Sequence, residues 1–295
     1  MTRRKKVKRR ALMRTPTGVE ESGAQESAGR GPGRDLPRKW LVFYIGAATL
    51  VPIIFVSVLL LLSYSGQQSE GPATVLPSAG PRAVIVDQLS LTQPNPSFTE
   101  AATELLEQAG YAVEYYPGEE VTVEFFRNLP VQPYALIILR VHSALGRDGD
   151  RPADWVTLFT TDSYRETWYL EEQRARRLSK VAYREDDPQY FGIMPEFVRS
   201  SMKGSFQETT VIMMGCDGLT TDGIAEVFVQ RGAKALVGWN GLVSAEHTDA
   251  ATEALLRHLV TEGITLQEAV DRTMVEVGPD PAYGSVLRLY PPQRG

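Results

Sequence analysis

One cysteine, Cys216, and three histidines are all the thiol and imidazole that 295 residues contain. A lone thiol cannot form an internal disulfide. No His/Cys/carboxylate spacing matches a metal site, so neither a metal nor a cofactor is expected. A Gly-rich phosphate loop is missing too. Gly215 and Gly218 alone are a weak signal, and they leave a flavodoxin-like sheet binding a small molecule as the least supported reading. No internal repeat is visible, which sets aside solenoid and propeller arrays.

Basic charge is scarce beyond the first 40 residues. Those residues hold 12 of the 31 lysines and arginines and 4 of the 36 acids, a local charge of +8 against −13 for the remainder. The run from Leu41 to Ser63 carries no charge at all. It is long enough to cross a bilayer core of roughly 30 Å at 1.5 Å per residue. Trp40 and Tyr64 bracket it as interfacial aromatics do. Pro52, costly in a soluble helix, is tolerated in a span. A cleaved signal peptide fits less well, because the apolar run is too long and no A-x-A site follows closely. Arg34, Arg38 and Lys39 precede the run and the next basic residue is Arg82, so the positive-inside rule places the N-terminus in the cytoplasm and the body outside. The basic tail then serves topology, and no nucleic-acid partner is expected.

The expected organisation is a disordered basic tail at 1–39, a transmembrane helix at 40–64, a flexible linker at 65–81 and one α/β domain at 82–295. Within that domain RAVIVD (82–87) reads as a buried first strand. A helix follows with Ser97 as its cap and Glu100 completing a capping box. Tyr111 to Tyr116 alternates as a strand, Val121 to Asn128 is a short helix ended by Pro130, and YALIILRV (134–141) is a strand buried on both faces. Residues 147–208 are less regular. A hairpin strand at 154–161, a helix or loop at 166–181 and an apolar turn with a short helix at 190–202 are expected there; Phe191, Met194 and Phe197 read as local core. Helices at about 247–262 and 265–276 precede an edge strand at 283–290. Alternating strands and helices indicate a three-layer α/β/α sandwich with a mainly parallel sheet.

The stretch that organises the chain is TTVIMMGCDGLTTDGIAEVFVQRGAKALVGW (209–239), a strand, tight turn, helix and strand. Its turn places Cys216 at the carboxyl end of a strand, where open α/β sheets gather their chemistry. Small neighbours allow close approach of a substrate backbone. The following helix is expected to bring a positive dipole end near the sulfur and lower its pKa. His142 occupies the matching place after the strand at 135–141, as the base such a thiol requires. A buried, inert cysteine and a strand-end histidine satisfied by a carbonyl are the competing readings. His258 lies within a helix pattern and reads as structural; His247 stands at a helix start and is a weaker pocket candidate.

A strand ending in His-Ser, then an apolar strand ending in Gly-Cys-Asp-Gly 74 residues on, then a helix and RGAKALVGW, resembles the caspase–haemoglobinase fold, with CHAT domains and clostripain/gingipain-like peptidases as the nearest likeness. Ala225, Phe228, Gly232, Ala233, Val237 and Gly238 fill the pattern of the helix and strand after the cysteine. The resemblance implies a cysteine endopeptidase acting on peptide or protein substrates, with Cys216 as nucleophile and His142 as general base and acid. It implies an oxyanion hole from the backbone N–H groups of Cys216 and Ser143, although Ser143-Ala144 stands where Gly is common. Clostripain-like enzymes carry an acid two residues before the cysteine; Met214 stands there, so specificity for basic residues does not carry over. Asp217 is either a pocket acid or a cap. Trp239 is either a pocket wall or core. Glu246 and Asp249 are either pocket acids or helix N-terminal charges, and His247 completes the pocket candidates. The combined expectation is a membrane-anchored, single-pass, caspase-like cysteine peptidase with an extracytoplasmic domain; the alternative is a non-catalytic binding or scaffold domain at the cell envelope.

Overall fold

The computed structural model describes residues 80–148, 151–184 and 186–292, all within the unit Val75–Gly295. The expected tail, membrane span and most of the linker lie outside the described residues. Among the described residues no helix is long and apolar enough to cross a membrane.

Five short strands form the parallel part of a six-stranded sheet. They are β1 (Arg82–Asp87), β2 (Ala112–Pro117), β3 (Tyr134–Arg140), β8 (Thr209–Met213) and β9 (Ala233–Trp239). The order is β10-β9-β8-β3-β1-β2, with β10 (Leu287–Tyr290) antiparallel at one edge. This is a mixed α/β fold with a mainly parallel sheet.

The strand period of two, with both faces of the central strands covered, explains why β1, β3, β8 and β9 have mainly apolar interiors, while the edge strand β2 does not. Ala83, Ile85, Leu136, Ile138, Ile212, Ala235, Val237 and Trp239 face one side of the sheet. There they pack on α1 (Pro96–Gln108), α6 (Ala245–Leu256) and α7 (Leu266–Glu276). Val84, Val86, Ile137, Leu139, Val211, Met213 and Leu236 face the other side, against α2 (Val123–Asn128), α4 (Pro195–Ser200) and α5 (Gly223–Gln230). Each valine, leucine, isoleucine or methionine among them, fully buried, contributes roughly 1.5–3 kcal/mol, so both faces must be covered for the sheet to persist.

The second face also carries a small antiparallel sheet that the sequence pattern did not announce. It comprises β4 (Ser143–Asp148), β5 (Arg151–Ser163), β6 (Leu178–Val181) and β7 (Tyr190–Ile193), in the order β4-β5-β7-β6. Only the hairpin strand at 154–161 was expected. The polar stretch 166–181 divides into a one-turn helix, α3 (Leu170–Arg174), and β6. Phe191 and Phe197 are fully buried and Met194 nearly so, core residues as expected.

Two helix starts differ from expectation. Asn95, not Ser97, caps α1: its side chain accepts from the Phe98 N–H, and Pro96 takes the first helical position, where no N–H is needed. The helix after Cys216 begins at Gly223, so residues 217–222 separate its first turn from the thiol.

The topology fixes where a site can form. The chain moves from β1 outward to β2, then crosses back to place β3, β8 and β9 on the other side of β1. The carboxyl ends of β1 and β3 therefore flank a switch point, the crevice where ligands of open α/β sheets bind.

Candidate active site

Leu139 pairs with Met213 across β3 and β8, and the Met214 N–H donates to the Leu139 carbonyl at 3.0 Å. His142 follows the end of β3 by two residues and Cys216 the end of the neighbouring β8 by three. Both line one cavity of about 450 Å³ with Leu89, Gln93, Val243 and Tyr283. A larger cavity, about 590 Å³, lies over the small sheet among Trp155, Thr157, Arg176 and Ser179; no histidine or cysteine lines it, so the chemistry belongs to the smaller one.

Glycine makes the juxtaposition possible. A Cβ on Gly215 would collide with the Ser143 hydroxyl and the Val141 carbonyl, which lets β8 end tight against β3. The Ser143 hydroxyl donates to the Cys216 carbonyl at 2.6 Å and staples the two strand ends. The cysteine sulfur donates to the Val243 carbonyl at 3.6 Å. Nε2 of His142 pairs with Oγ1 of Thr92 at 2.8 Å. Among the described residues no hydrogen bond joins sulfur to imidazole.

The electrostatics run against the expected lowering of the thiol pKa. Burial pushes the Cys216 thiol above its ordinary range, and the Asp217 and Asp280 carboxylates push it the same way. With the helix start displaced to Gly223, its dipole does not act on the sulfur from within the first turn. Burial also lowers His142, to about 4, and the Arg140 guanidinium adds to the effect. At neutral pH the resting pair is thiol and neutral imidazole.

Arg140 is itself fully buried, on the strand that delivers His142. Its Nη1 donates to Asp87 at 2.7 Å, its Nε and Nη2 to the two oxygens of Asp249 at 2.8 Å, and Nη2 also to the Gln93 carbonyl at 2.7 Å. β1, β3, α6 and the loop before α1 are thereby tied together beneath the cavity. Asp249, weighed as a pocket acid or a helix charge, is neither; it is the buried partner of Arg140.

The remaining candidates divide. Glu246 lines the cavity beside Ala245. Trp239 does not: it is fully buried in the core, its indole N–H donating to Thr248 at 2.9 Å, because β9 still packs under α6 at that point. His247 turns away as well, its ring beside Trp239 and its Nε2 on the Gly278 carbonyl at 3.1 Å. Asp217 has a positive φ of 61° and accepts from Thr220 at 2.9 Å and from the Leu145 N–H at 3.3 Å. It shapes the turn after the thiol and stands outside the cavity lining. His258 is structural, placed between Glu262 at 2.8 Å and Glu276 at 3.0 Å. Among the described residues no cluster of histidine, cysteine and acid could hold a metal.

Gln88, Thr92, Arg140, Tyr183 and Tyr283 were not foreseen. Arg140 did carry a signal: a lone cation within YALIILRV requires buried partners, and Asp87 closes RAVIVD with the complementary charge.

No family model matches the chain, and no curated protein matches it. Among solved structures, the Arg-specific cysteine proteinase gingipain R is 13% identical with a TM-score of 0.39, over 66% of this chain and 42% of that one. The chain therefore spans well under half of that protein's length, and a likeness of this size carries no argument about chemistry.

Proposed function

We propose that the chain is a caspase-like cysteine peptidase, with Cys216 as nucleophile and His142 as general base and acid. One observation carries the reading: a thiol and an imidazole, 74 residues apart in sequence, open onto one cavity at the carboxyl ends of adjacent parallel strands. Because the resting pair is uncharged, His142 takes the thiol proton as the sulfur attacks the substrate carbonyl carbon. The tetrahedral oxyanion is received by backbone N–H groups, with Cys216 and Ser143 as the proposed donors. The C–N bond breaks, the imidazolium gives its proton to the leaving amine, and a thioester remains on Cys216. Water, deprotonated by His142, then attacks the thioester; the carboxylic acid leaves and the thiol is restored.

The substrate is a peptide or protein, and Glu246 on the cavity wall is the acid placed to meet it. Residues 41–63 anchor the chain in a membrane as a single span, with the N-terminus in the cytoplasm and the catalytic domain outside. A second reading, a binding or scaffold domain without turnover, draws on the uncharged and mutually unbonded state of the pair. Labelling with a panel of peptidyl electrophiles separates the two. The peptidase reading requires modification at Cys216 that is lost in Cys216→Ala and falls at least about a hundredfold in His142→Ala, the scale of general-base catalysis. A thiol that resists every peptidyl electrophile while the domain is folded leaves the binding domain.

A further inference from the structure

The side chain of Gln88 is buried at the end of β1 and makes two directed hydrogen bonds. Its Oε1 accepts from the backbone N–H of His142 at 2.9 Å, and its Nε2 donates to the phenol oxygen of Tyr183 at 2.5 Å. The amide has one possible orientation. A backbone N–H can only donate, so it takes the carbonyl end of Gln88 and leaves the NH₂ for the phenol. Tyr183, on the connection between β6 and β7, lies tilted against the imidazole of His142 with ring centroids 4.7 Å apart. Phe159 of β5 stacks behind Tyr183 at 5.5 Å and also approaches His142 at 6.0 Å, and Tyr190 flanks Tyr183 at 5.5 Å. The small sheet, through Tyr183 and Phe159, thus reaches the histidine.

We infer that Gln88 and Tyr183 are positioning residues for His142: Gln88 fixes the backbone that carries the imidazole, and Tyr183, held by the same amide, covers one face of the ring and excludes water from it. The inference deepens the proposed function, since it rests on His142 being the base. The arrangement leaves the other side of the ring to Thr92 and the cavity. The remaining titratable or charged groups around it are Arg140 beneath and Cys216, Glu246 and Tyr283 across the cavity.

The test uses the full chain in detergent micelles, as Cys216→Ala, with isotope-labelled histidine. Three histidines make three imidazole signals, and His142→Gln identifies the one sought. Tyr183→Ala, which opens the ring to water, is expected to raise the His142 midpoint by about one unit or more toward its ordinary 6.5. Tyr183→Phe keeps the wall but loses the Gln88 hydrogen bond, and is expected to raise the midpoint by clearly less than Tyr183→Ala does. Gln88→Leu, which frees Tyr183 and strands the His142 N–H, is expected to shift the midpoint as Tyr183→Ala does and to broaden the ring signal. Should folded Tyr183→Ala and Gln88→Leu both leave the signal and midpoint unmoved, the inference is wrong. If Gln88→Leu does not fold, Tyr183→Ala against Tyr183→Phe decides alone, because equal midpoints in those two overturn it. No turnover is read, so a peptidase reading lost to failed electrophile labelling is distinguishable from a positioning role lost here.

Discussion

The imidazole of His142 is largely buried and lies beside the Arg140 guanidinium. Its midpoint of about 4 means that folding favours the neutral ring. Above pH 6.5 the ring is neutral in both folded and unfolded chains, and the stability is fully present. As pH falls from 6.5 to 4 the unfolded chain binds the proton first, so stability is lost across that window, by up to roughly 3 kcal/mol for an ideal shift of this size. Urea denaturation of wild type and His142→Gln at pH 7 and pH 4.5 is expected to show the wild type losing more stability on acidification than the variant. Equal losses would remove the buried neutral ring from the account. The same ring sets the acid limb of catalysis. For a proposed base already neutral near pH 5, kcat/KM is expected to hold down to about that pH instead of falling near 6.5. The thiol, pushed upward by burial, is expected to react slowly with iodoacetamide at pH 7 unless a peptidyl substrate analogue fills the cavity.

Between residues and molecule stand the strand ends, and there two substitutions report on how the site is held. Gly215→Ala forces a methyl group against the Val141 carbonyl, which is backbone and has little room to yield. A loss of about 1–3 kcal/mol is expected, as for overpacked cores, together with reduced electrophile labelling at Cys216 because β8 moves off β3. Arg140→Met removes the cation from between Asp87 and Asp249 and leaves two buried carboxylates facing each other. A cost of about 3–5 kcal/mol is expected, read as a lower denaturation midpoint at unchanged slope. The main-sheet elements were legible because runs such as RAVIVD and TTVIM are short, apolar and bounded by turns, which is what strands buried on both faces require. The place of His142 and Cys216 was legible for the same reason: each is the first polar residue of note beyond such a run. The small sheet was not, since 143–193 mixes charged and aromatic residues without a steady period. Trp239 and His247 misled as pocket residues because the sequence does not reveal that Trp239, the last residue of β9, packs under α6, nor that His247, on α6 itself, turns toward Trp239 and the Gly278 carbonyl. Gln88 and Tyr183 meet across 95 residues with no periodic signal in either, so only the fold brings them to His142.

At the scale of the whole chain, the charge asymmetry is the observation with the widest reach. A segment of +8 precedes an uncharged run of 23 residues, and a body of −13 follows it. In the proposed reading no nucleic acid is a partner, in keeping with the net negative charge of the body. The asymmetry does fit a chain inserted with its basic end retained in the cytoplasm. That topology places the proposed peptidase outside the membrane, with residues 65–81 between the span and β1. The single cysteine makes this testable without background, because Cys216→Ala removes the only native thiol. In that variant Ser65→Cys, just beyond the apolar run, is expected to react with a membrane-impermeant maleimide on intact cells. Ser22→Cys, in the basic tail, is expected to react only after the cells are permeabilised, and both chains are expected to stay with the membrane through an alkaline carbonate wash. Labelling of Ser22→Cys but not Ser65→Cys on intact cells would invert the topology and confine the proposed peptidase to cytoplasmic substrates. Release of the chain by carbonate would remove the span itself.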